Sequence, residues 1–244
     1  MTFDYENMTN EQINGLVAAL TNGTDGLERD PEGAAAAAKV AADRGDAEAQ
    51  FRYGVFLING EGVEKDLASA GEYWRRSAAQ GYVEAVNRLG ICALYGICGE
   101  EKNPVKAAGY FQSAADAGLP DAMFNLCMLY DSGTGVSKDD RKAYDYMLQA
   151  AELNFPMACV MMGMRMAFEK ASSEETRQKG AEYLTKAAEA GNHEGEYLLG
   201  VCCEKGMGVE KDLSEAAGWY RRAAKAGSKQ ANEALVRLGF PGVM

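Results

Sequence analysis

Histidine is nearly missing from this chain: His193 is the single one in 244 residues. It stands in a turn beside Glu194, with no nucleophile indicated next to it, so a hydrolytic dyad has nothing to build on. No second cysteine or histidine pair has zinc-ligand spacing, and neither a metal nor a cofactor is expected. Long apolar runs are missing too. Nothing approaches the roughly 18 apolar residues of a membrane span. The start carries Asp4, Glu6 and Glu11 without a basic segment leading into an apolar run, so no secretory signal is expected. Basic residues are outnumbered, 25 against 36, for a formal net charge of −11. Such a chain repels nucleic acid and anionic membranes, which leaves a basic or apolar protein partner, or simple solubility, as the meaning of the charge. Regular cysteine pairing is also lacking. Cys92, Cys98, Cys127, Cys159, Cys202 and Cys203 fall at scattered places, which suits small buried apolar residues in a reducing, cytoplasmic compartment.

What is present is a repeat of about 36 residues. Gly60-Glu61-Gly62-Val63-Glu64-Lys65-Asp66 returns as Gly133-Thr134-Gly135-Val136-Ser137-Lys138-Asp139 and again as Gly206-Met207-Gly208-Val209-Glu210-Lys211-Asp212. Each block opens on Gly45, Gly81, Gly118, Gly191 or Gly227, with Asn154 in the remaining place. One such unit cannot bury its own apolar face, so units at this period stack into a solenoid.

Each block reads as two helices. Ala49, Tyr53 and Leu57 recur at helical spacing, the Gly60-x-Gly62 stretch breaks the run, and Asp66 caps a second helix that buries Ala70, Tyr73, Trp74 and Ala78. The capping place holds Asp30, Asp66, Asn103, Asp139, Thr176 and Asp212, all side chains that accept from a helix N-terminus. Pro31 and Pro104 follow two of them, at the first helical position that proline favours. Glycine or asparagine then closes each second helix in the left-handed conformation.

Thr9-Asn10-Glu11-Gln12 reads as a capping box opening a helix with Ile13, Val17 and Leu20 inward. The alanine-rich stretch from Pro31 to Arg44 completes an irregular first unit. Residues 228–239 form a lone closing helix with Ala231, Ala234, Leu235 and Leu238 inward. Two blocks depart from the pattern. Gly96-Ile97-Cys98-Gly99 carries an extra residue, and Phe168 to Thr176 has no glycine, so the helix there runs on or the next starts early at Ser172 or Ser173. The expected organisation is a loose 1–8 segment, one array over 9–239 and a 240–244 tail. Its units are 9–44, 45–80, 81–117, 118–153, 154–190 and 191–226, with a cap at 227–239.

Leu199-Gly200-x-x-Cys203, Gly206-x-Gly208-Val209-x-x-Asp212, Ala216-x-x-Trp219 and Ala223-Ala224-x-x-Gly227 resemble the Sel1-like repeat, a relative of the tetratricopeptide repeats. The resemblance covers about residues 9–239. It implies an all-α, right-handed superhelix of helix pairs with a concave face lined by first helices, and a scaffold or adaptor role without enzyme activity.

Counting the opening residue as zero, steps 6, 10 and 13 share a face of the first helix. They supply Phe51, Asn87, Phe124 and Tyr197; then Val55, Ile91, Met128 and Met164; then Asp131 and Glu204. These ten are the candidate partner-binding residues, with Glu48, Glu84, Asp121 and Glu194 as an acidic edge. The same positions also suit packing between neighbouring blocks. Methionines crowd the stretch from Met123 to Met166, where core filling and an adaptable binding surface both fit, and Met162 and Met166 fall on core positions. Two alternatives stand beside the scaffold: a β-lactam or cell-wall hydrolase, as described for cysteine-rich relatives, and a structural protein that self-associates through an open end. A monomer is the expectation otherwise.

Overall fold

The computed structural model describes residues 3–243; Met1, Thr2 and Met244 lie outside the described residues. Thirteen α-helices and no strand occur among them. The chain divides into two compact units, the first ending at Asp139 and the second starting at Asp140. The boundary falls inside the block read as 118–153.

The first unit holds α1 (Asn10–Asn22), α2 (Pro31–Asp43), α3 (Ala47–Asn59), α4 (Leu67–Ala79), α5 (Val83–Tyr95), α6 (Pro104–Asp116) and α7 (Pro120–Ser132). The second holds α8 (Asp140–Glu152), α9 (Pro156–Phe168), α10 (Glu174–Glu189), α11 (His193–Lys205), α12 (Leu213–Lys225) and α13 (Lys229–Arg237). Within each unit a helix packs on its chain neighbours: α1 with α2, α3 with α4 and α5 with α6 in the first, α9 with α10 and α11 with α12 in the second.

Local chemistry sets the ends. Thr9 Oγ1 accepts from the Gln12 amide at 3.2 Å while the Thr9 amide donates to Gln12 Oε1 at 2.9 Å, closing the capping box. Asp30 accepts from Gly33 at 2.9 Å, Asn103 from Lys106 at 2.9 Å, and Asp66 from Ala68 and Ser69, each at 3.0 Å. Thr176 does not cap α10. Ser173 does, accepting from the Thr176 amide at 3.2 Å, because the glycine-free loop leaves nothing to stop the helix from starting three residues sooner. All six closing residues, Asn154 included, have positive φ. At the first of them Asp46 N donates to Ala41 O at 3.1 Å and Gly45 N to Ala42 O at 3.0 Å, the paired bonds of a left-handed helix end.

Two glycine positions set distances. Gly54, Gly90, Gly163 and Gly200 lie under Trp74, Phe111, Leu184 and Tyr220, so that a Cβ would strike the side chain of the paired second helix. Block 118–153 has Cys127 in that place. The second glycine of the loop, Gly62, Gly135 or Gly208, abuts the backbone carbonyl of Pro31, Pro104 or Arg177 at the start of the previous second helix. A third junction uses side chains to satisfy the end of the preceding helix. Gln50 Nε2 reaches Ala42 O at 3.2 Å, Cys159 Sγ reaches Ala151 O at 3.4 Å, and Arg222, held by buried Glu196 at 2.8 Å, reaches Ala188 O at 3.1 Å.

The chain ends are tied in. Phe3, Tyr5 and Met8 pack against the core around Ile13 and Val17, and Arg44 donates to the carbonyls of Met8 at 2.8 Å and Tyr5 at 2.7 Å. Val243 N donates to Asn232 Oδ1 at 2.7 Å, and Arg221 lies over the Phe240 ring at 5.3 Å.

Candidate functional site

In the first unit the first helices share a groove. A hollow of about 290 Å³ lies between α1 and α3, walled by Val17, Thr21, Phe51 and Val55 and closed by Tyr82. A smaller one of about 150 Å³ adjoins it between α3 and α5, walled by Val55, Ile58, Ile91 and Ile97 with Arg88 at its edge. Val55 lines both, so two adjoining, mainly apolar hollows run across the three helices, with Arg52, Glu61, Asn59 and Arg88 also at their walls.

The floor is rigid for a stated reason. Trp74 Nε1 donates to Phe51 O at 3.1 Å while its ring rests on Gly54, so α4 holds α3 in place from below. The Phe51 and Tyr82 rings meet at 5.2 Å between centroids, within the range of favourable aromatic contact. Burial first, then Glu84, pushes the Tyr82 hydroxyl above its ordinary value, so it stays a neutral donor at the wall. Arg52 Nη2 pairs with Glu48 at 2.7 Å, one turn away on α3. The acidic edge is thereby reduced at Glu48, while Glu84 and Asp121 are exposed.

The ten candidate residues fall in both units: seven in the first, and Met164, Tyr197 and Glu204 in the second. Phe51, Val55 and Ile91 are half-buried and wall the groove. Asn87 is buried and accepts from Asn125 Nδ2 at 2.9 Å, binding α5 to α7. Phe124 is half-buried on α7, and Met128 and Asp131 are exposed there. Met164 is exposed on α9 of the second unit, with Met157 two turns before it on the same face. Tyr197 and Glu204 serve the end of the second unit. The Tyr197 ring lies 5.8 Å from that of fully buried Tyr220, whose hydroxyl donates to Glu204 at 2.7 Å; Arg237 of α13 grips Glu204 with two bonds, at 2.6 and 2.7 Å. That fork holds the Glu204 carboxyl below its ordinary value of 4.5.

Among the methionines, Met123 and Met162 are core, while Met166 is only half-buried, its step falling at the rim of α9 beside the glycine-free loop. Sequence reasoning missed Trp74 as the floor and Tyr82 and Arg88 as walls. The signal for the first was the recurring glycine at step 9 opposite a large second-helix residue. Arg88 sits one residue past the face counted from step 6.

All six cysteines are free and buried. Burial pushes the thiols up, to about 11 for Cys127 and Cys203 and about 12 for Cys202, so they stay protonated and poorly nucleophilic at neutral pH. His193 Nδ1 lies 3.9 Å from Glu196 Oε2, a carboxylate already bound by Arg222. Among the described residues no three His, Cys, Asp or Glu side chains converge to hold a metal. No helix there is long and apolar enough to cross a membrane.

The family model of the Sel1 repeat matches five times, over residues 47–82, 83–119, 120–155, 156–192 and 193–228. The crystal structure of a Sel1 repeat protein from Oxalobacter formigenes superposes with a TM-score of 0.81 at 28% identity, over 95% of this chain and 66% of that one. Chitin synthase regulatory factor 3 of Schizosaccharomyces pombe is 26% identical over 88% of this chain and 28% of its own length. DAP3-binding cell death enhancer 1 of Rattus norvegicus is 30% identical over 71% of this chain and 34% of its own. The chain thus spans about a third of the length of these curated relatives.

Proposed function

This chain belongs to the Sel1 repeat family, and from that premise we propose that it is a non-enzymatic protein-binding module whose first-helix groove in the first unit holds an extended segment of a partner. One observation carries the reading: the two adjoining, mainly apolar hollows that share Val55, the smaller of them backed by Trp74. Apolar side chains left at a water interface on a rigid support are the usual makings of a protein contact. The relatives fit the role as far as their names go, one being a regulatory factor and one a DAP3-binding protein. Six unpaired thiols suit a reducing compartment such as the cytoplasm.

The test is a pair of groove variants, Val55→Arg and Ile91→Arg, in the full chain. Both should keep the helical circular dichroism and melting transition, and both should lose partner peptides selected on the wild type. Unchanged binding would move the site elsewhere. Turnover of a chromogenic β-lactam by the purified chain would overturn the non-enzymatic reading outright.

A further inference from the structure

Charge along this groove is unevenly spent. Arg52 is held by Glu48, and Glu61 at the far end is held by Arg29. Arg88, on α5, is different: it is exposed, stands at the edge of the hollow walled by Ile58, Ile91 and Ile97, and ion-pairs with no carboxylate among the described residues. Glu84, one turn earlier on the same helix, is exposed and does not pair with it. A guanidinium presents a planar fork of donors matched to a carboxylate, and apolar walls strengthen that contact by excluding water.

Resting on the protein-binding reading above, we propose that the groove selects a partner segment with an acidic side chain flanked by aliphatic ones, the carboxylate taken by Arg88 and the aliphatics by the hollows on either side of Val55. This reverses the basic partner suggested by the net charge of −11. Net charge governs long-range approach, whereas the residue at the hollow's edge governs which side chain fits. An acidic segment approaches against the overall field and is recognised only at contact distance.

The experiment pans a random linear peptide library, displayed with both ends blocked by carrier sequence, against the full chain. Leading peptides are then remade and titrated against wild type, Arg88→Glu and Val55→Arg. Arg88 is exposed, so its variant should fold, and circular dichroism checks this. The expected result is enrichment of Asp or Glu beside Leu, Ile or Val. Affinity should fall about tenfold or more with Arg88→Glu, the size of one charge-assisted contact. Exchanging the peptide acid for lysine should restore binding to Arg88→Glu. Peptides lost with Val55→Arg but indifferent to Arg88→Glu, or enriched in lysine and arginine, overturn the acidic selection and leave the groove intact. Peptides indifferent to Val55→Arg overturn the groove itself.

Discussion

Phe51 and Tyr197 occupy the same step of their blocks, in the first and second units. Phe51 faces a hollow, its ring against Tyr82 and its carbonyl fixed by Trp74. Tyr197 faces Tyr220, next to a carboxylate that Arg237 has already claimed. Equal sequence position has been put to opposite ends. In the first unit the first-helix face at Phe51 lines a hollow; in the second the corresponding face of α11 anchors α13 through Glu204 and Arg237.

Mutations separate the two uses. Tyr220→Ala should act hardest, removing a fully buried ring and one of the bonds to Glu204, at a cost of about 3–5 kcal/mol seen as a lower thermal midpoint or denaturant midpoint. Peptide affinity at the groove should survive wherever the first unit remains folded. A matched pair comes next. Gly54→Val and Gly200→Val both press a branched side chain against a second-helix ring, costing roughly 1–3 kcal/mol each. Only Gly54→Val should also disturb peptide binding, because only there does the displaced ring form the groove floor.

Glu204→Gln should cost about 1–2 kcal/mol through the weakened Arg237 and Tyr220 bonds. It also has a pH signature. The folded Glu204 carboxyl titrates below 4.5, so the unfolded chain takes up the proton first. The stabilisation is complete above 4.5 and disappears as pH falls through the depressed folded value. Acid melts of Glu204→Gln should lack that part of the slope, and an unchanged slope would dissociate Glu204 from the cap. Smallest of all, Val55→Arg should lower stability by about 1 kcal/mol, since the side chain is half-buried against the Trp74 cluster, while abolishing groove binding measured by titration calorimetry.

Much of this was legible beforehand where one residue type answers one backbone need. The caps at Asp30, Asp66 and Asn103 and the left-handed closures, Asn154 among them, follow from local chemistry that no distant contact overrides. The start of α10 was open, since without a glycine the preceding helix could run on or the next begin early at Ser172 or Ser173, and Ser173 is the cap. The site was harder. Step 6 supplies four of the candidates, yet Asn87 turns into an inter-helix hydrogen bond and Tyr197 packs on Tyr220. Periodicity tells which way a side chain points on its helix. It does not tell what waits there, and for Arg88 the waiting partner belongs to another molecule in our proposal.

The loop glycines carry a further consequence. Gly62, Gly135 and Gly208 each meet their neighbour through a main-chain carbonyl, whose owner is proline in two cases and arginine in the third. The closest approach at such a joint is made by main chain, not by side chain. At this joint, though not where Gln50, Cys159 or the Arg222–Glu196 pair act across the block boundary, neighbouring blocks need little matching of side chains. The exposed faces are then free to drift towards new partners while the spacing of the array stays as it was.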